Sequence, residues 1–329
     1  MKILYIGGTG NISAASVRLA LAQGHEVWLF NRGKRPGSLP QGAKSIVGDA
    51  YDLNSLKKAV ADQTFDVVIN FIAFTRQDVE RDIAAFSGKT GQYIFISSAS
   101  AYQKPPSHPV ITESTPLYNP WWQYSRDKIA CEDALTEAYR KTGFPITIVR
   151  PSHTYETVLP VAVGSWEDFT IIDRIRKKQP IIVHGDGTSL WTITHSIDFA
   201  KGFNGLLGNQ QAIGHSFHIT SDEILTWNQI YDAVAEAAGE EPKKVYVPSD
   251  FIARHDESQL GNLLGDKACS VIFDNTKIKT FVPGFVATIP FRQGIKKTVK
   301  WFEAEPSRMK ILDENNAMMD QIIAAWQKL

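Results

Sequence analysis

An α/β fold built on a doubly wound parallel sheet is predicted for the first 150 residues by three observations. Short runs of β-branched and aromatic residues alternate with helix-length segments, the first helical segment closes on a glycine, and a glycine-rich turn directly follows the first run. The strand candidates, in order, are KILYIG (2–7), HEVWLF (25–30), KSIVG (44–48), FDVVINFI (65–72), QYIFIS (92–97) and PITIVR (145–150). Between them, ISAASVRLALAQG (12–24) has helical spacing and ends on Gly24, suited to a left-handed helix cap, and LNSLKKAVADQ (53–63) reads as a second helix. Strands joined in this way cross over right-handedly.

Beyond Arg150 the rhythm loosens into PSHTYETVLPVAVGSWEDF (151–169), whose prolines, glycine and aromatics suit a pocket wall better than another βα unit. The segments SIDFAKGFNGLLG (196–208) and HSFHIT (215–220) look able to rejoin the sheet. We therefore expect residues 1–150 to form a dinucleotide-binding domain to which 185–220 return. Residues 151–184 and 221–329 are expected to form mainly a smaller, interleaved substrate-binding subdomain, closed by the amphipathic segment ENNAMMDQIIAAWQK as a terminal helix.

The bulk numbers exclude several classes. At 43% hydrophobic residues the 329-residue chain can bury a large core, and its formal net charge of zero lacks the basic footprint of a nucleic-acid binder. The two cysteines, Cys131 and Cys269, are far apart and without metal-ligand spacing, which fits a reducing compartment and predicts a cytoplasmic protein with no metal site. MKILYIGG is too short for a signal h-region or a membrane span, so no membrane partner is expected.

In GGTGNISAAS, Gly7 and Gly10 hold the first two places of GxxGxxG and Ser13 the third, with Thr9, Asn11 and Ile12 completing the turn. A strand, a glycine turn and a helix starting near Asn11 would aim backbone amides and a helix dipole at a pyrophosphate. The plain alternative is a glycine turn with no ligand. Many NAD sites end the second strand in an acid for the ribose 2′-hydroxyl, but here HEVWLF runs into Asn31, Arg32, Gly33, Lys34 and Arg35. An amide and cations in place of the acid favour a 2′-phosphate, so NADP is preferred over NAD, although a solvated basic loop reads the same way. Further on, Asp49 and Ala50 stand where adenine would lie, and Asn70, Phe71 and Ala73 where the strand end would flank the cofactor.

In WWQYSRDKIACE, Tyr124 and Lys128 stand four apart on one helix face, the spacing that sets a phenol beside an ammonium. By itself this is equally a packed ring and a solvated lysine. With GGTGNIS, NFIAF, IFISSASAY, YSRDK, IVRPSHTY, GDGTSLWTITHSIDFA, FDNTKIKTFVPGF and FRQGIKKTVKWF in order, the chain resembles the extended short-chain dehydrogenase/reductase superfamily, of the epimerase/dehydratase type. NRGKRPG, IFISSASAY and HGDG also look like the branch holding chloroplast stem-loop RNA-binding proteins and bacterial epimerase-like reductases.

The resemblance implies a Rossmann domain and a Ser98–Tyr124–Lys128 triad, Ser98 standing four residues before Tyr102. Lys128 would lower the phenol's pKa and bond the nicotinamide ribose, Tyr124 would exchange a proton with the substrate, and Ser98 would hold its oxygen. It also implies that Pro151 and His153 lie beside the cofactor, whereas on the residues alone His153 and His195 read as loop or core histidines. Many sugar-nucleotide epimerases of this kind carry an arginine four residues before the histidine corresponding to His195, where this chain has Trp191. That weakens a nucleotide-sugar assignment and makes Trp191, with Trp122, Ser98, Ser100 and Tyr124, a candidate substrate contact. The resemblance implies NAD(P)-dependent hydride transfer, as an oxidoreductase or an epimerase, on a sugar-like, nucleotide-sugar or small carbonyl substrate, and the helix from Tyr124 to Lys141 would serve a homodimer if one forms. The competing reading is a non-catalytic cofactor-binding regulatory or RNA-binding protein on the same scaffold.

Overall fold

The computed structural model describes residues 1–33 and 39–329; Lys34, expected at the adenosine end, lies outside the described residues. Seven strands, β1 (Lys2–Ile6), β2 (Glu26–Asn31), β3 (Lys44–Val47), β4 (Phe65–Asn70), β5 (Thr90–Ile96), β6 (Ile146–Arg150) and β7 (Ser216–His218), form one sheet in the order β7-β6-β5-β4-β1-β2-β3. Every pairing in it is parallel. The helices against it are α1 (Ser13–Ala22), α2 (Leu53–Ala59), α3 (Arg76–Phe86), α4 (Gln123–Thr142) and α5 (Ser196–Asn204).

Side chains alternate across each strand, and β1, buried from Ile3 to Ile6, shows the result. Leu4 and Ile6 pack with Val68, Phe95, Val79 of α3 and Leu135 of α4 on one face. Ile3 and Tyr5 pack with Leu29, Ile69, Val17 of α1 and Phe203 of α5 on the other. Both faces of the sheet are thus covered, as a parallel sheet requires. Gly24 and Gly143 take left-handed φ values of 77° and 71°, ending α1 and α4.

The smaller region has its own core, centred on Trp191, Trp227, Tyr231, Ile182 and Phe302. Its strands are short and paired two by two: Pro180–His184 with Lys243–Val247, His153–Tyr155 with Ile193–His195, and Leu190–Trp191 with Leu225–Thr226. The return to the main sheet was expected from residue 185, but it starts only at Ser196. The short strands at 190–195 find their partners in the loops after β6 and before the helix Trp227–Ala238, leaving only α5 and β7 to rejoin the larger unit. The terminal helix Asp313–Trp326 buries Met319, Ile322 and Ile323, and Trp326 packs edge-on against Phe251. No helix among the described residues is long and apolar enough to cross a membrane.

Candidate active site

The strand order reverses at β1, which lies between β2 and β4, and the loops leaving the carboxyl ends of β1, β4, β5 and β6 meet there. They enclose a cavity of about 600 Å³ lined by Gly7, Gly10, Ile12, Phe71, Ser98, Ser100, Trp122, Tyr124, Lys128, Pro151 and His153. A second cavity of about 350 Å³ shares Gly7, Gly10 and Ile72 with it and runs along Thr9, Asn31, Arg32, Asp49 and Ala50. Nearly all the sequence-predicted residues therefore lie along one continuous groove.

At the turn, Gly7 has φ +82°, and a Cβ there would sit 2.5 Å from Cγ2 of Ile72, so only glycine fits. The third position of the motif holds Ser13, whose hydroxyl donates to the Gly7 carbonyl at 2.8 Å and accepts from the Gly10 amide at 2.9 Å. The serine thus fastens the turn in which a glycine would merely be small. The Asn11 side chain is held by the loop after β6: its Nδ2 donates to the Thr154 carbonyl and its Oδ1 accepts from the amides of Glu156 and Thr157. Its side chain ties the glycine turn to the loop after β6, at the wall of the first cavity.

At the other end, Ser98 closes β5. Its Oγ lies 2.8 Å from Ser100 Oγ and accepts from the Ser100 amide at 3.2 Å, so it caps the turn and borders the cavity at once. Ser97 alternates away, as expected of a strand neighbour, and donates to Glu132 on α4. Glu132 also receives Arg150 from the end of β6, with Nη2–Oε2 at 2.6 Å. That buried ion pair sets α4 against the sheet and with it Tyr124 and Lys128. Asn119 fixes the start of α4, accepting from the amides of Trp121 and Trp122 and donating to the carbonyls of Ser100 and Gly265.

The electrostatics correct one expectation. Tyr124 is pushed up to about 12 by burial, with the Ser98 hydroxyl acting the other way. Lys128 Nζ lies 5.8 Å from the Tyr124 ring centroid and donates to the carbonyls of Ala73 and Ile96 at 2.7 and 2.8 Å. It is itself pulled down to about 8 by burial. Desolvation of both groups outweighs any help the ammonium gives the phenol. Ala73 takes part through this carbonyl rather than by lining the groove. Asn70 is buried and holds its own turn, bonding Asp82 and the Ile72 amide.

In the second cavity, Asn31 Oδ1 accepts from the Gly33 amide at 2.8 Å, and Arg32 is exposed on the groove wall. Asp49 is exposed, with its carboxylate accepting from the Tyr51 amide.

Trp191 does not reach the cavity. It is 2% exposed and packs on Trp227 with ring centroids 5.7 Å apart, because the strand that carries it faces the smaller core. The wall expected from it is supplied by Trp166, and Asp266 and Lys267 border the same space. Lys267 carried no signal of spacing or periodicity; it reaches the cavity because Leu263–Lys267 forms a π-helical turn held against Asn119. Among the described residues no group of three or more His, Cys, Asp or Glu could hold a metal ion.

Residues 3–220 match the NAD dependent epimerase/dehydratase family. The 2'-dehydrokanamycin reductase of Streptomyces kanamyceticus is 26% identical over 253 residues, 77% of this chain and 71% of the relative. The chloroplast stem-loop binding protein of 41 kDa b from Arabidopsis thaliana is 29% identical over 265 residues, 76% of this chain and 67% of the relative. Among solved structures, an epimerase from Methanothermobacter thermautotrophicus superposes with a TM-score of 0.76 at 16% identity, covering 93% of each chain. A dTDP-glucose 4,6-dehydratase from Bacillus anthracis, in complex with NAD, gives 0.74 at 17% identity, covering 94% of this chain and 98% of that one. These similarities of fold accompany a sequence match over most of the parallel sheet, and the chain belongs to the NAD dependent epimerase/dehydratase family, within the extended short-chain dehydrogenase/reductase superfamily.

Proposed function

We propose that the chain is an oxidoreductase that uses Ser98, Tyr124 and Lys128 on a sugar-like or small carbonyl substrate, with NADP preferred over NAD. The observation that carries this reading is the single groove running from Arg32 past the glycine turn to Tyr124 and Trp166. At its centre stands Gly7, where a Cβ would run into Ile72 of the groove wall, and the amino end of α1 opens onto it, so the residues present fit a dinucleotide. Gly7, Thr9, Gly10, Ile12 and the Asn11 backbone would hold the pyrophosphate, Asn31 and Arg32 the adenosine ribose, and Asp49 and Ala50 the adenine. Phe71, Pro151 and His153 would flank the nicotinamide. The nicotinamide supplies or accepts hydride when bound.

The protein's own part is to move a proton and to fix an oxygen. A phenol held near 12 is a proton donor at neutral pH, so Tyr124 hands its proton to a substrate carbonyl oxygen in the reducing direction. Ser98 holds that same oxygen by a hydrogen bond. Two of the three N–H groups of Lys128 are held by Ala73 and Ile96, leaving one for a ribose hydroxyl. Trp122 and Trp166 wall off water and offer flat apolar faces to a sugar ring. A small-molecule substrate also agrees with the reductase similarity, and the zero net charge argues against a nucleic-acid role like that named for the stem-loop-binding relative. The test is turnover of a panel of sugars, nucleotide sugars and small carbonyl compounds with NADPH or NADH. Activity that persisted in Tyr124→Phe would refute the mechanism.

A further inference from the structure

Behind Trp122 and Trp166 lies a cluster that hydride transfer does not use. Lys104 and Lys267 are both buried, 1% exposed each, and both approach the carboxylate of Asp266, at 3.4 and 3.5 Å. Two ammonium groups on one carboxylate leave a positive charge without a counterion, which is costly in a buried place. The other charged groups on the cavity wall do not cancel it: Glu167 stands on the exposed rim, and Lys128 faces backbone carbonyls. The Lys267 ammonium gives one N–H to Asn262 Oδ1 at 2.6 Å and has three to give.

Beside it, His153 is buried and lines the cavity, yet neither ring nitrogen has a hydrogen-bond partner among the described residues. Both groups lie against the same indole: the His153 ring stacks on Trp166 at 4.3 Å, and Lys267 Nζ lies 5.0 Å from that ring. A buried imidazole without a partner, beside an ammonium with a hydrogen bond to spare on the same cavity wall, marks the place of a missing partner.

We infer that Lys267 and His153 form a subsite for a carboxylate on the substrate, making the substrate a hydroxylated acid of sugar size. This rests on reading the cavity as the substrate site of an oxidoreductase and names the substrate class. One spare positive charge matches a single carboxylate, whose oxygens accept from Lys267 and from an imidazole N–H, and falls short of a diphosphate. The position where a guanidinium would clamp a diphosphate holds Trp191, turned into the core. The reacting end is close by, since the Trp122 ring lies 5.1 Å from that of Tyr124 and 5.9 Å from Lys267 Nζ. A monosaccharide can touch both.

The test is calorimetric binding of D-glucuronate and D-galacturonate to the cofactor-saturated protein, against the neutral parent sugars and the uronamides. We expect at least one uronate to bind about tenfold more tightly than its neutral parent and its amide, the effect of one charge-assisted hydrogen bond. That preference should vanish in Lys267→Gln while cofactor affinity and melting temperature hold. No measurable uronate binding, equal binding of acid, sugar and amide, or a preference that survives K267Q would each overturn the subsite. The oxidoreductase reading would still stand, because turnover lost in Tyr124→Phe is measured independently. Should K267Q fold poorly, His153→Phe, which keeps a ring against Trp166 and removes both ring nitrogens, carries the same test with cofactor affinity measured alongside: its preference must fall, and a preference unchanged there overturns the proposal.

Discussion

The nucleotide end and the tryptophan end of the groove are assembled by different means. At the end expected to hold the nucleotide, Gly7, Arg32, Asp49 and Phe71 each stand within two residues of the end of a strand of the sheet, so adjacent parallel strands deliver them side by side. At the other end, Trp122, His153, Trp166 and Lys267 come from a helix start, a short strand, a loop and a π-helical turn, and packing in a separate core brings them together. The first construction requires only that the sheet form. The second also requires the smaller region to dock on it, and Asn119, bonded to both the serine turn and Gly265, is one of the pins. Chemistry common to the superfamily can therefore stay with the sheet while substrate choice changes with the docked region.

The sharpest way to break this division is at Tyr124, where the two ends meet. Tyr124→Phe removes the transferable proton and little volume, so turnover should fall by about a hundred- to ten-thousandfold. NADPH affinity should be unchanged, because Lys128 and the glycine turn are untouched. Steady-state kinetics and a cofactor titration on the same preparation check both halves, and a variant that loses cofactor binding along with turnover would show the ends to be inseparable.

Lys128 gives a pH handle. Burial outweighs the acids near it and pulls it down to about 8, and only its protonated form donates three hydrogen bonds. A ribose acceptor raises the pKa in the complex, so affinity should be full below pH 8 and decline as pH rises through that value, by up to about tenfold. Lys128→Met should bind more weakly at neutral pH and show a flat profile over the same range. A wild-type profile that stays level across it would remove Lys128 from the cofactor contacts. At the far end of the groove, Arg32→Ala should weaken NADPH by about tenfold and leave NADH unchanged, as expected for one charge-assisted contact to a 2′-phosphate. NADH binding equal to or tighter than NADPH in wild type would sink the NADP preference.

Legibility followed the same division. KILYIG, HEVWLF, FDVVINFI and QYIFIS each became a strand of the central sheet because local pattern and parallel burial agree there. Gly7 was readable because a tight turn between strand and helix leaves its signature in consecutive residues. Lys267 was not, since its place on the cavity wall depends on packing between segments far apart in the chain. The phenol's pKa was misjudged for a related reason: the Tyr124–Lys128 spacing shows that the two share a helix face, but not that Ala73 and Ile96 claim the ammonium or that burial dominates both groups. Trp191 failed similarly, because counting back from a histidine identifies a position and leaves the facing of a two-residue strand undetermined.

Trp191 also supports the finest test of the comparison. It touches the site only indirectly, through Lys104, whose Nζ lies 5.6 Å from its ring and 3.4 Å from Asp266. Its indole N–H is buried without an acceptor among the described residues, so Trp191→Phe trades lost volume against the removal of an unsatisfied donor. The opposing effects should leave a destabilisation of about 1–2 kcal/mol, read by urea unfolding. Turnover should stay within about twofold of wild type, because a side chain in the core carries stability rather than transition-state contacts. A large loss of turnover at unchanged stability would move Trp191 to the cavity wall and return the tryptophan end to the arrangement first expected from the sequence.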